Sequence, residues 1–352
     1  MMNSTIEPDD YSDFTEERVL TVPRELAGER LDAALASLMP EYSRSRISNW
    51  IKDGLVTVDG KESVPKLKLW GGEHLCVHIQ ANPEETSFQA EDIPLDVVYE
   101  DESILVIDKP AGLVVHPGSG NWSGTVLNGL LFAFPELKTV PRAGIVHRLD
   151  KDTSGLMVVA RTLTAQNNLV QQLQARTVKR HYLAIVQGKL AGDGTVDAPI
   201  GRHPRERIKM AVVHTGKPAI THWRAIEQFA AHTLVECRLE TGRTHQIRVH
   251  MAHIGHPLAA DPVYGGKPRL ASQEMTLALE DFNRQALHAR KLSLVHPENG
   301  KTMTWKAPVP EDMTALLYAL RADAGMAEEE EDWDDDDWGD EDDNCEIFYV
   351  KE

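Results

Sequence analysis

His147-Arg148-Leu149-Asp150-Lys151-Asp152-Thr153-Ser154-Gly155-Leu156 sets two carboxylates two residues apart, with His and Arg before them and a Thr-Ser-Gly turn after them. Apolar Val158-Val159-Ala160 follows as a strand, so the segment reads as a loop projecting charge from the mouth of a sheet. Rigidly held loops of this kind are where binding and catalysis concentrate. By itself the stretch serves equally as a polar turn in which Asp152 or Ser154 caps backbone amides. The rest of the chain decides between these readings.

At 352 residues, one large core and one small one are expected. No apolar run approaches the ~18 residues of a membrane span. Residues 1–17 are acidic without an apolar stretch, unlike a secretory signal or an Arg-rich transit peptide. Cys76, Cys237 and Cys345 form neither a CxxC pair nor a disulfide framework, which suits a reducing cytoplasm. The net charge of −18 is concentrated at the ends: residues 327–352 contribute −14 and residues 1–17 contribute −6, leaving +2 for residues 18–326. That body holds basic clusters such as Arg202-His203-Pro204-Arg205-Glu206-Arg207-Ile208-Lys209, compatible with binding a polyanion. The two acidic ends read as a disordered arm, 1–17, and a disordered tail, 327–352.

Within 18–80, Leu31, Ala34, Leu35 and Leu38 share one helical face. Ser43-Arg44-Ser45-Arg46 opens a second helix carrying Ile47, Trp50 and Ile51. Gly54 ends it, and Leu55-Val56-Thr57-Val58 runs into an Asp59-Gly60 hairpin turn. This helix, helix, hairpin order resembles the S4 RNA-binding domain in its Arg-Leu-Asp start, its Ser-Arg-Ser-Arg helix and its Gly-x-Val-x-Val-x-Gly-Lys hairpin. The resemblance implies phosphate contacts from Arg44, Arg46, Lys52 and Lys61, which give affinity but little sequence choice. Residues 81–96, with Pro83 and Pro94, read as a linker.

Residues 97–326 form the larger domain. Strands are expected over 97–99, 104–108, 156–161, 182–187, 219–227 and 233–240, and helices over 124–134, 163–177 and 244–254. Short returns between the middle strands argue for an α+β fold with a mixed, largely antiparallel sheet and flanking helices, not a doubly wound one.

Four segments occur in order: Ile-Leu-Val-Ile-Asp-Lys-Pro-Ala-Gly-Leu-Val-Val-His-Pro-Gly over 104–118, the decapeptide at 147–156, Lys179-Arg180-His181-Tyr182-Leu183-Ala184, and Thr241-Gly242-Arg243-Thr244-His245-Gln246-Ile247-Arg248-Val249-His250. Together they resemble the signature segments of the RluA/RluD family of RNA pseudouridine synthases, nearest the RluD branch that modifies large-subunit ribosomal RNA. The resemblance spans residues 28–320. It implies an isomerase that needs neither metal nor cofactor. Its implied partner is large-subunit ribosomal RNA or an assembling large subunit. A cytoplasmic, non-membrane protein is expected, with monomer as the default because the sequence does not read out an oligomeric state.

The resemblance also implies roles. Asp150 is the carboxylate that attacks the ribose or removes a sugar proton, and the sequence does not choose between these. Arg248 pairs with it and favours its ionised form. Tyr182 lies against the target uracil, and Arg148 enters the RNA stack vacated by a flipped nucleotide. Asp152, Thr153 and Ser154 shape the loop, with Asp152 as a turn acceptor, while Lys109 and Pro110 fix the facing loop.

Other readings fit less well. His245, His250, His253 and His256 suggest a metal site, but HExxH is absent and no Cys or carboxylate stands at ligand spacing. The phosphatase DxDx[TV] loop fails at Ser154, and an EF-hand fails because Arg161 sits where the bidentate Glu belongs. Gly118-Ser119-Gly120-Asn121-Trp122-Ser123-Gly124-Thr125 lacks the Lys of a P-loop. A non-catalytic assembly factor is opposed by intact Asp150, Tyr182 and Arg248. Trp333, Trp338, Phe348 and Tyr349 punctuate the acidic tail, which reads either as a solvated tail with no role or as a phosphate mimic lying transiently over the RNA groove.

Overall fold

The computed structural model describes residues 16–39, 42, 44–79, 89–117, 121–206, 209–266, 272–326 and 346–349. The chain divides into two compact units, residues 1–86 and 87–352. The proposed arm before residue 16, residues 81–88 of the linker, residues 327–345 of the tail and the side chain of Arg46 lie outside the described residues.

In the first unit, β1 (Glu16–Thr21), α1 (Leu31–Leu38), α2 (Arg44–Lys52), β2 (Val56–Val58), β3 (Lys61–Glu62) and β4 (His74–Ile79) form a four-stranded sheet in the order β1-β4-β2-β3 with two helices. The Asp59-Gly60 turn has positive φ at both residues, 49° and 76°, as a tight hairpin turn requires. Leu31, Leu35, Ile47, Ile51, Val56 and Leu75 are fully or almost fully buried in one core. β1 corrects the expected disordered arm at its last two residues: Glu16 and Glu17 are strand, because β1 pairs antiparallel with β4 along its length.

The second unit is a mixed sheet of ten strands. Its elements are β5 (Asp96–Glu100), β6 (Ile104–Lys109), α3 (Val126–Ala133), β7 (Ser154–Ala160), α4 (Leu163–Gln174), β8 (Lys179–Gln187), β9 (Asp193–Asp197), β10 (Ile200–Arg202), β11 (Met210–Val212), β12 (Ile220–Gln228), β13 (His232–Leu239), α5 (Gln246–His253), α6 (Gln273–Phe282), β14 (Leu287–Val295), β15 (Thr302–Lys306), α7 (Glu311–Asp323) and β16 (Glu346–Tyr349). The sheet runs β5-β6-β7-β14-β8-β13-β12-β9, with β15 on β14 and β16 on β15, while β10 and β11 form a separate hairpin. Among the described residues, only the strand pairs β7–β14 and β15–β16 are parallel. The fold is therefore the α+β arrangement expected from the sequence.

Alternation drives the layering. Leu105, Ile107, Met157 and Val159 face one core, and Ile104, Val106, Leu156 and Val158 face another. Because both faces of β6 and β7 are covered, these strands read as continuous apolar runs.

Three differences from expectation bear on the site. β7 begins at Ser154, so Ser154 and Gly155 are strand and not turn. Gly155 has φ +112°, and a Cβ there would lie 2.3 Å from the Ala289 carbonyl oxygen, so only glycine allows β14 this close. β14, absent from the expected strands, takes the central place between β7 and β8; its His288, Arg290, Lys291 and Ser293 break any apolar alternation. Finally, residues 346–349 pair with β15, and Phe348 stacks on Trp305 at 5.8 Å. The described end of the tail is therefore an ordered strand, held by an aromatic contact.

Candidate active site

A cavity of about 940 Å³ opens in the second unit, lined by Arg148, Asp150, Tyr182, His245 and Arg248 among others. Sequence-distant segments meet here because the decapeptide leads into β7, Tyr182 sits on β8, and Arg248 sits on α5.

The loop bearing Asp150 is held through its backbone. Lys109, almost wholly buried, extends its ammonium to the carbonyl oxygens of Pro110, Leu113 and Lys151 at 2.7, 2.9 and 2.9 Å. Burial pulls the Lys109 pKa down to about 7, against the pull of Asp152 and Asp150. Gly112 N–H also donates to the Lys151 carbonyl oxygen, and Arg284 Nη1 donates to that of Asp152. Gln285 Nε2 donates to Thr153 Oγ1 at 3.1 Å. The turn is closed by Thr153 N–H donating to the Asp150 carbonyl oxygen, a contact expected of the Asp152 side chain, whose part here is its charge opposite Lys109. His147 Nε2 accepts the Val158 N–H at 3.1 Å, tying the loop to β7.

The carboxylate at the centre is positioned by a guanidinium. Arg248 Nη1 donates to Asp150 Oδ2 at 3.0 Å, while Nε and Nη2 donate to Asp261 Oδ2 and Oδ1 at 2.7 and 2.9 Å. Asp261 is fully enclosed, the Arg248 side chain is 5% exposed and that of Asp150 is 16% exposed. Burial would lower the Arg248 pKa, but Asp261 and Asp150 together raise it above the ordinary arginine value. Burial likewise opposes ionisation of Asp261, yet Arg248 and the N–H groups of Tyr264 and Val263 hold its carboxyl below the usual range. Asp150 thus offers Oδ1 to the cavity while Oδ2 is held.

Tyr182 is 6% exposed; burial raises its hydroxyl pKa, with Arg180 opposing and Asp150 adding to the rise. Its phenol therefore enters the cavity neutral. Arg148 is exposed at the rim.

The sequence reading did not single out Asp261, Arg180 or Tyr264, and it weighed His245 only as a metal ligand. No spacing rule links Asp261 to Arg248. His250 has both ring nitrogens engaged, by Thr221 Oγ1 and the Ala198 carbonyl oxygen at 2.9 Å each. In the first unit, Arg44 pairs with Asp32 at 3.1 Å alongside Arg30, with half its side chain exposed, and Lys52 and Lys61 are exposed.

A family profile described as RNA pseudouridylate synthase matches residues 103–253, and an S4 domain profile matches residues 29–63. "Ribosomal large subunit pseudouridine synthase D" of Neisseria meningitidis serogroup B is 54% identical over 361 residues, covering 97% of this chain and 96% of that protein. The protein of the same name from Nitrosomonas europaea is 59% identical over 303 residues, covering 86% and 87%. The solved structure of human RNA Pseudouridylate Synthase Domain Containing 4 matches with a TM-score of 0.50 at 26% identity, over 64% of this chain and 93% of that one.

Proposed function

The chain belongs to the RluA/RluD-type RNA pseudouridine synthases with an N-terminal S4 domain, and from that premise we propose that it isomerises uridines in a stem-loop of large-subunit (23S) ribosomal RNA during assembly of the subunit. It would act in the cytoplasm, as a monomer.

The observation that supports this reading is the Asp150–Arg248 contact at 3.0 Å, in a cavity shared with Tyr182. Isomerisation breaks the bond from uracil N1 to ribose C1′, turns the base, and joins C5 to C1′, with the C5 proton leaving and N1 taking one up, so that the formula is unchanged. Asp150 is the reacting group, through Oδ1, either adding to C1′ or taking the proton at C2′. Arg248 holds Oδ2, so the free oxygen is aimed without rearrangement as charge shifts in the reaction. Tyr182 supplies a neutral ring surface on which the detached uracil turns, with its hydroxyl near C5. Reaching a base in folded RNA requires flipping it out, at a cost of about a few kcal/mol, and Arg148 at the rim offsets part of this by stacking in the vacated place. Arg44, Arg46, Lys52 and Lys61 contact phosphates, giving binding that weakens with salt.

Pseudouridine mapping in ribosomal RNA from cells with and without this chain tests the assignment. Asp150→Asn is expected not to restore the modifications that are lost without the chain. If that variant still forms them, Asp150 is not the reacting carboxylate; if the maps are identical, the enzyme acts elsewhere.

A further inference from the structure

His245 occupies a strained position beside the reacting carboxylate. Its backbone is left-handed, with φ 56° at the residue preceding α5, an uncommon conformation for a side chain of this size. The ring is 5.7 Å from that of Tyr264, edge to face, and Nδ1 lies 2.9 Å from the Tyr264 hydroxyl oxygen. That oxygen already accepts the Met210 N–H at 2.9 Å, and the arrangement that also uses its own hydrogen within the site is donation to Nδ1. In that arrangement the neutral ring carries its proton on Nε2. Burial lowers the His245 pKa, with Asp150 opposing, which agrees with a neutral ring.

Nε2 points toward Asp150 Oδ1 from 3.9 Å, beyond hydrogen-bond length, with the His245 side chain 22% exposed in the cavity. A donor and an acceptor at this separation leave a place for one bridging oxygen, ~2.8 Å from each. The bridging group must accept from Nε2–H and donate to a carboxylate oxygen, which describes a hydroxyl and excludes a carbonyl, an ether or a C–H. On the pseudouridine-synthase reading of this cavity, on which the inference rests, the ribose hydroxyl adjoining C1′ is the 2′-hydroxyl.

We infer that His245 is a specificity-determining residue that, together with Asp150 Oδ1, binds the 2′-hydroxyl of the target nucleotide. The contact selects ribose over deoxyribose and brings the free oxygen of Asp150 beside C1′ and C2′. The strained backbone holds the ring at this angle, and Tyr264 holds its tautomer.

The test uses the full chain and a ribosomal RNA fragment that it modifies, made with either ribose or 2′-deoxyribose at the target uridine. Single-turnover pseudouridine formation is followed for wild type, His245→Gly, which suits the left-handed backbone, and His245→Gln, which keeps an N–H donor. A hydrogen bond to the charged Asp150 contributes about 10- to 100-fold in rate, and one from a neutral donor about 2- to 10-fold. Wild type should lose the larger factor on the 2′-deoxy target, and His245→Gly the smaller one on the ribose target. The two together should lose no more than the 2′-deoxy target alone, and His245→Gln should recover part of the ribose preference. Losses that multiply would overturn the inference, because His245 would then act only through Asp150 or the fold. Equal wild-type rates on both targets would overturn it without any variant. A wild type that forms no pseudouridine in either RNA removes the enzymatic reading and the inference with it.

Discussion

Asp261 accepts two hydrogen bonds from Arg248, at 2.7 and 2.9 Å, and its carboxylate has no exposed surface. The same arginine reaches Asp150 with its remaining nitrogen, so Asp261 sets the guanidinium that sets the Asp150 carboxylate. Removing one partner of a buried ion pair strands the other, at a cost of about 3–5 kcal/mol. Asp261→Ala is expected to lower stability by that order in urea unfolding. Asp261→Asn keeps the shape and should fold, yet lower kcat far more than it weakens RNA binding. Binding and rate falling in equal proportion would mean that Arg248 needs no such support.

Gly155 pairs with Ala289 where β7 meets β14, and Ala289 backbone atoms lie 2.3–2.7 Å from where its Cβ would stand. Gly155→Ala combines a strained φ with overpacking and should cost about 2–4 kcal/mol. The shift falls directly on the loop carrying Asp150, so activity should drop even in conditions where the variant remains folded. Thermal melts and turnover below the transition read both effects. A variant as stable as wild type would contradict the close approach.

Burial holds two histidines beside this loop at a pKa of about 3: His147, with Arg180 adding to the effect, and His288, with Arg284 and Arg290 adding. A depressed folded pKa means that the unfolded chain binds the proton first. Stability from these groups is complete above about pH 6.5 and falls as the pH drops toward 3. For His288, 1% exposed and 3.0 Å from Ser154 Oγ, the loss is about 2 kcal/mol by pH 5. Urea denaturation from pH 7.5 to 5 should show this slope, and His288→Gln should flatten it. An unchanged slope in the variant would assign the acid sensitivity elsewhere.

Phe348 packs against both Tyr99 and Trp305, at 5.2 and 5.8 Å, and Lys301 pairs with Glu346 at 2.6 Å. The exposed ion pair contributes little, whereas the aromatic contact should contribute about 1–3 kcal/mol. Phe348→Ala is expected to lower the melting temperature, and Lys301→Ala to leave it almost unchanged. If deleting residues 346–352 has no effect on stability, β16 does not hold the sheet.

The sequence determined much of this protein through short-range pattern. Continuous apolar runs placed β6 and β7, Asp59-Gly60 placed a hairpin, and the resemblance of four ordered segments to a known family pointed to Asp150, Tyr182 and Arg248, which the fold brings to one cavity. The local features are legible because a strand buried on both faces is apolar at successive positions and a tight turn needs particular backbone angles. Tertiary structure alone decided the partners. Asp261 became the support of Arg248, polar β14 entered the centre of the sheet, residues 346–349 closed onto β15, and His245 turned its Nε2 toward Asp150. Each of these depends on packing between segments with no shared periodicity, where many carboxylates or strands would satisfy the local pattern equally. Only the closed chain, with every buried charge and backbone group requiring a partner, selects among them.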